Sequence, residues 1–159
     1  MKKQNTLITQ ESIEVVLRKE FVDNPDVMMI NALMWQKETL EEMTWYDAME
    51  YAKNLRLGGY DDWRLPTIEE LEEVVSSCGG INIKCVDDDW GEMIDKNEAN
   101  KSYQECYKSK GFTSSYYWSS TASAYYSPNV WVVSFYDGSS NYYYKKENEL
   151  YVRCVRAGQ

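Results

Sequence analysis

Residues 116–156 read YYWSSTASAYYSPNVWVVSFYDGSSNYYYKKENELYVRCVR, and this stretch decides the fold. Trp131, Val133 and Phe135 alternate with Val132, Ser134 and Tyr136. A period of two sends successive side chains to opposite faces of a strand, so the pattern predicts a half-buried strand with Val132, Ser134 and Tyr136 facing out. Asp137-Gly138 follows, a dipeptide suited to a tight hairpin turn. Beyond it Tyr142, Tyr143 and Tyr144 form a second β-prone run, and residues 151–156 alternate again as a closing strand.

The same region is unusual in composition. Residues 112–144 contain no Lys, Glu, Gln or Met, where uniform usage of those four types would place about eight. Asp137 is the only charged residue among them, and eight of the 14 tyrosines fall between Tyr116 and Tyr144. Tyr offers a large amphipathic contact area at low entropic cost, while Ser and Asn offer adaptable hydrogen bonds. The composition therefore predicts a sheet with a face built for contact.

A chain of 159 residues reads as one domain, and 43% hydrophobic residues with six Trp argue for a packed core. The net charge of −9 disfavours nucleic acid, heparin-like polyanions and anionic membrane surfaces, all of which need a basic footprint. Most of the acid precedes residue 106, leaving room for a local basic patch near Lys145, Lys146, Arg153 and Arg156. No run approaches the roughly 20 apolar residues of a membrane span. The N-terminus has two lysines without an apolar stretch behind them, so no signal peptide is expected and the compartment stays open. Cys78, Cys85, Cys106 and Cys154 match no zinc spacing, and the chain has no His, so no metal or other cofactor is expected. Free thiols are the expectation for such a chain, with Cys154 in the core and Cys78 and Cys85 near enough in sequence to pair on meeting an oxidant.

Upstream, residues 13–21 suit a first strand or a short helix, and 23–26 form a turn. Residues 27–30 and 32–35 read as short strands. A helix is predicted over residues 44–55, capped by Thr44 with Asp47 three positions on, with Trp45, Ala48, Ala52 and Leu55 on one face. Gly58-Gly59 ends it, and residues 61–66 form an extended link into a second helix. That helix opens on a Thr67/Glu70 capping box and runs to Val75; Ile68, Leu71, Val74 and Val75 form its buried stripe, and Glu69, Glu72 and Glu73 face water. Residues 76–111 read as a long irregular loop region holding an acidic run at 87–89 and a short helix over 101–108.

GGYDDWRLPTIEEL at 58–71, YYWSST at 116–121, VWVVSFYDG at 130–138 and YVRCVR at 151–156, with ALMWQ and TWYDAMEYAKNL upstream, resemble the Lcl C-terminal domain family over about residues 21–157. That family is similar in turn to the C-type-lectin fold and to formylglycine-generating enzymes. The resemblance implies an α+β domain of C-type-lectin-like fold, with two helices flanking a small twisted antiparallel sheet. It also implies framework roles for Trp63, Arg64, Trp118, Ser119 and Arg153. Some proteins of this fold are variable proteins of diversity-generating retroelements, in which adenines of chosen codons are randomised to alter a binding face. An AAC codon changed at its adenines yields Tyr, Ser, Asn, Asp, Ala, Val, Phe, Gly, Pro or Thr but never Lys, Glu, Gln, Met or Trp, which matches residues 112–144 with Trp118 and Trp131 as framework exceptions. On this resemblance the ligand-binding positions are Ala124, Tyr125, Tyr126, Asn129, Val132, Ser134, Tyr136, Ser139, Ser140, Asn141, Tyr142, Tyr143 and Tyr144, within a variable region at about 116–156.

Catalysis finds little support in these residues. Without His, Ser-His-Asp and Cys-His arrangements are impossible. Glu69 and Glu73 lie on a solvated helix face, and no second nucleophilic cysteine accompanies Cys154 in the manner of the formylglycine-generating enzymes. Calcium-dependent lectins resembling this fold use a Glu-Pro-Asn or Gln-Pro-Asp triplet; Ser127-Pro128-Asn129 lacks that carboxylate, and Asp87, Asp88, Asp89 and Asp95 read as a solvated acidic loop. The expectation is a non-enzymatic domain that binds a protein or glycan, with a fixed adhesin or phage-fibre tip as the alternative and an enzyme as the alternative of another class.

Overall fold

The computed structural model describes residues 25–84, 88–124, 128–142 and 146–158. Strands β1 (Val27–Ile30) and β2 (Leu33–Gln36) form a hairpin around Asn31 and Ala32, both with positive φ. Strand β3 (Leu40–Met43) leads into α1 (Trp45–Asn54), whose N-cap Thr44 accepts a hydrogen bond from the Asp47 N–H. A single turn at Leu57–Gly59 and the extended link at 61–66 precede α2 (Ile68–Ser77). Both halves of the Thr67/Glu70 capping box are present. The predicted element over residues 13–21 lies outside the described residues.

The segment read as irregular is instead mostly helical. A two-residue strand β4 (Ile83–Lys84) is followed by α3 (Trp90–Ala99) and α4 (Lys101–Ser109). Then come β5 (Tyr116–Ala122), β6 (Val130–Ser134), β7 (Ser139–Asn141), β8 (Leu150–Val152) and β9 (Val155–Ala157). The described residues thus hold two open sheets and four α-helices: the two expected to flank the sheet, α4 where a short helix was read over 101–108, and α3, which was not foreseen.

The smaller sheet has the order β1-β2-β9 and is antiparallel; the larger runs β3-β8-β5-β6-β7-β4. In the larger sheet β5 pairs parallel with β8, and β4 parallel with β7, so it is mixed where an antiparallel sheet was expected. The single closing strand predicted for 151–156 is two strands, β8 in one sheet and β9 in the other, broken at Arg153 and Cys154.

Both faces of the larger sheet are covered. Val130 and Val132 pack with Ala48, Ala52, Trp63, Leu65, Trp118 and Val152. Val133 and Phe135 pack on the opposite side with α2, Tyr103, Tyr107 and Phe112. An interior strand covered on both sides reads as a near-continuous apolar run, and VWVVSF is such a run. The expected outward orientation of Val132 and Ser134 is therefore corrected: both are buried, and only Tyr136, past the strand's end, faces solvent. On α2, Ile68, Leu71, Val74 and Val75 are buried as predicted, while Glu72 is buried too and not solvated.

Two covalent and polar ties span these layers. Cys78, at the end of α2, is disulfide-bonded to Cys106 of α4 with a Cα–Cα distance of 5.4 Å. This corrects both the free-thiol expectation and the Cys78–Cys85 pairing; helix packing, not nearness in sequence, chose the partner, and Cys85 lies outside the described residues. Cys154 is buried as predicted. Arg153 is fully buried, and its guanidinium donates to the carbonyls of Gln36 and Lys110 while lying 4.3 Å above the Phe112 ring.

Arg153→Lys should lower stability by about 2 kcal/mol and Arg153→Ala by about 4 kcal/mol, because an ammonium cannot span both carbonyls and alanine leaves both unpaired in a void. The urea midpoint should fall with its slope unchanged. Cleavage of Cys78–Cys106, separated by 28 residues in sequence, should cost about 3 kcal/mol by loop-closure entropy, read from the same titration with and without reductant.

Candidate functional site

The predicted ligand-binding residues divide between the two ends of β6. At its start, the Ser123 N–H donates to the Asn129 carbonyl at 3.0 Å, closing the β5–β6 loop, and Ala122 pairs with Val130. Strand β7 returns antiparallel with Asn141 opposite Val132, so Asn141 and Tyr142 reach the same end. Ala124 is exposed, and Asn129 and Asn141 are half-buried. The Tyr142 ring is buried, packed edge-on against Trp131 at 5.1 Å. Tyr125, Tyr126, Tyr143 and Tyr144 lie outside the described residues.

The other end carries Tyr136, 47% exposed, in the turn before β7. This turn is clamped. The Gly138 N–H donates to the Ser134 carbonyl at 2.8 Å, and the Asp137 carboxylate accepts from the Ser139 N–H and hydroxyl at 2.9 and 2.6 Å. Asn97 of α3 donates to the carbonyls of Asp137 and Ile81, and Gln104 of α4 to that of Tyr136. Gly138 has φ +75°, and a Cβ there would stand 2.3 Å from Asn97 Nδ2, so the turn is possible only with glycine. Five residues of strand rise put Tyr136 roughly 16 Å from the loop end.

Burial corrects further expected contact positions. Ser139, Ser140 and Tyr142 are buried with Val132 and Ser134, because the β6–β7 hairpin is inside the sheet and packed on both sides. Of the described predicted positions, Ala124, Asn129, Tyr136 and Asn141 keep accessible surface. Tyrosine count alone was a poor guide to exposure. Tyr103, Tyr107 and Tyr117 are core residues; the hydroxyl of Tyr103 donates to the Phe135 carbonyl at 2.5 Å, and that of Tyr117 accepts from the Thr113 N–H at 2.8 Å.

A second feature adjoins the loop end. A cleft of about 510 Å³ lies between α1 and the extended link, with Trp63 and Leu65 as its floor, Trp45, Tyr46 and Met49 along one wall, and Ser120 of β5 beside it. Trp45 is fixed by its indole N–H, which donates to the Ser119 carbonyl at 3.0 Å. Its backbone N–H donates to the Lys146 carbonyl at 3.0 Å, and the Lys146 ammonium sits 4.6 Å from the Trp45 ring. The sequence reading put Trp45 on a buried face and did not single out Tyr46 or Met49. Their spacing of three along a helix, on the strip next to Ala48 and Ala52, was the available signal.

The framework residues act on backbone and loops. Trp118 and Trp63 donate their indole N–H to the carbonyls of Met43 and Leu57, and Arg64 holds Glu70 through two hydrogen bonds of 2.7 and 2.9 Å. The link around Arg64 joins the smaller sheet through paired backbone bonds with Val155. Among the described residues no three Cys, Asp or Glu side chains cluster closely enough to hold a metal ion, and Asp88, Asp89 and Asp95 are exposed.

These features define a small α+β domain in which a rigid two-sheet frame presents polar loops beside an aromatic cleft. The chain belongs to the Lcl C-terminal domain family, whose sequence model matches residues 29–156. No curated protein matches the chain significantly.

Burial raises the phenols of Tyr51, Tyr103, Tyr107 and Tyr117 above their ordinary value and pushes the Cys154 thiol up to about 12. Each group is protonated more firmly in the folded state than in the unfolded one. Their stabilisation is complete below the unfolded pKa, about 9 for the thiol and about 10 for the phenols, and is lost as pH rises past it. Arg153, drawn down to about 10 by burial, contributes with the opposite sign above that pH. One such group does not offset five, so stability should fall above about pH 10. In a 295 nm titration the deeply buried phenols of Tyr103 and Tyr117 should ionise only together with unfolding, and a thiol reagent at pH 8 should leave Cys154 unmodified in the native protein.

Proposed function

We propose that this Lcl C-terminal domain is a non-catalytic ligand-binding module of C-type-lectin-like fold, that its contact residues sit at the loop end of the larger sheet, and that a diversity-generating retroelement varies them. The observation that carries this is the placement of accessible Ala124, Asn129 and Asn141 toward one end of β6, where Ser123 bonds Asn129 and Asn141 pairs with Val132. The Tyr, Ser and Asn that crowd these stretches of sequence suit a protein or glycan surface, met by stacking and hydrogen bonding. The acidic balance of the chain speaks against nucleic acid and anionic lipid as the ligand.

The cysteines support a non-catalytic role. Cys78 and Cys106 are joined, and the Cys154 thiol is buried on a strand junction, far from the low-pKa, exposed setting a nucleophilic thiol needs. A disulfide across two helices also fits a domain that works where oxidant prevails.

Burial restricts which codons could vary. A random side chain at Val132, Val133, Phe135 or Ser140 would enter a core with no free space, whereas Ala124, Asn129, Tyr136 and Asn141 have room to change. Sequencing the DNA flanking the gene should reveal a near-copy of the segment encoding residues 116–156, differing only at adenines. The differing codons should include those of the four accessible residues and spare those of the four buried ones. Without such a copy, diversification is excluded and the loop end is a fixed binding surface.

A further inference from the structure

We propose that the corner formed by Trp45 and Tyr46 is a cation-binding subsite, which takes a lysine or arginine side chain from the basic surface of a partner protein and which Lys146 fills in the free protein. This goes beyond the loop-end reading, since neither Trp45 nor Tyr46 belongs to the positions offered there. The two rings stand 5.8 Å apart at 80°, so their faces make a right-angled corner. Aromatic faces carry negative potential and attract ammonium and guanidinium groups within about 6 Å. The Lys146 Nζ is 4.6 Å from the Trp45 ring and 6.0 Å from the Tyr46 ring, so the corner already accommodates a cation.

The corner is accessible and shaped for more than a charge. Tyr46 is 53% exposed, and the corner opens into the cleft over Met49, Trp63 and Leu65. That apolar floor suits the methylene stem of a long cationic side chain, which buries its carbons while its head remains polar. The Trp45 ring is held in place by its bond to Ser119, so little ordering is required on binding.

The surrounding charge selects the sign of the partner. Glu41 and Glu42 on β3, Asp47 and Glu50 on α1, and Glu147 and Glu149 after Lys146 are all exposed. Among the described residues the cations nearby are Lys53 and Lys146, with Lys145 next in sequence, while Arg64 is engaged by Glu70. With a chain charge of −9, this excess of carboxylates steers a basic surface toward the corner and repels an acidic one. Lys146 acts as an internal competitor: a ligand must displace it, and its apparent affinity is reduced by the occupied fraction.

The test is an NMR titration of the full chain with tetralysine amide at low ionic strength, following the Trp45 indole N–H, identified by its loss in Trp45→Phe. Tetralysine should shift that signal and tetraglutamate should not. Lys146→Ala should tighten binding about 2–5-fold by vacating the corner, and Tyr46→Ala should weaken it by a similar factor, as expected for an exposed cation–π contact. The proposal is overturned if the Trp45 signal is unmoved by tetralysine in both the parent and Lys146→Ala, if Lys146→Ala weakens binding, or if a neutral disaccharide shifts the signal where tetralysine does not. A retroelement template found while tetralysine leaves Trp45 unmoved overturns this inference alone.

Discussion

A guanidinium buried with no carboxylate partner among the described residues is the constraint on which this fold turns. Arg153 lies at the break between β8 and β9, where the chain passes from the larger sheet to the smaller. Its Nε donates to the Gln36 carbonyl at the end of β2, Nη1 to the Lys110 carbonyl just past α4 at 2.5 Å, and Nη2 to Met28 Sδ of β1 at 3.0 Å. The Phe112 ring lies beneath it and Trp35 beside it, 4.3 and 5.9 Å from the guanidinium carbon. Carbonyl dipoles and ring faces replace water around the charge, an arrangement that requires all these parts in place at once. Desolvation still outweighs this support, which is why its pKa is drawn down to about 10. A residue so costly to bury fixes the geometry of whatever surrounds it: the two sheets, and the turn out of α4, meet there.

The helical excursion between α2 and β5 completes the frame from the other side. Its disulfide anchors α4 to the end of α2, and its polar residues reach the β6–β7 turn. Asn97 is nearly fully buried and bonds both the N–H and the carbonyl of Ile81 as well as the carbonyl of Asp137. Satisfying that many backbone groups makes a buried amide stabilising and directional. One end of the larger sheet is thereby held by fixed hydrogen bonds.

How much of this was legible in the sequence depended on the range of the interactions. Thr44 and Thr67 were recognisable as caps because a capping bond is made within three residues, and both form. The Asp137-Gly138 turn and the buried stripe of α2 were local in the same sense. The orientation of Val132 and Ser134 was not, because a period of two states which residues share a face but not whether a second layer covers the other one. Helix α3 escaped notice because its buried contact is Asn97, a polar residue where an apolar stripe was sought. The Cys78–Cys106 pairing and the change of sheet at Arg153 depend on contacts between segments remote in sequence, which no local pattern encodes. Of the positions offered for the candidate site, Ala124, Asn129 and Asn141 keep accessible surface at the loop end, whereas the aromatic cleft was missed because Trp45 looked like core.

The burial pattern separates positions committed to the core from positions that keep accessible surface. Residues of β6 and β7 that a composition-based reading offers to a ligand are committed to the core, where a change of even one methylene is felt. Ala124, Asn129 and Asn141 keep accessible surface and carry no such obligation. The Trp45–Tyr46 corner is of the opposite kind, since Trp45 is tied to Ser119 and its backbone to Lys146, so its chemistry is fixed with the fold. On the proposed reading, a surface that combines a fixed, cation-seeking corner with variation at accessible positions such as Ala124 and Asn129 would gain a common point of attachment from the first and discrimination from the second. On that reading, Arg153 and the disulfide-anchored helices supply the fixed frame that variation at those positions would require.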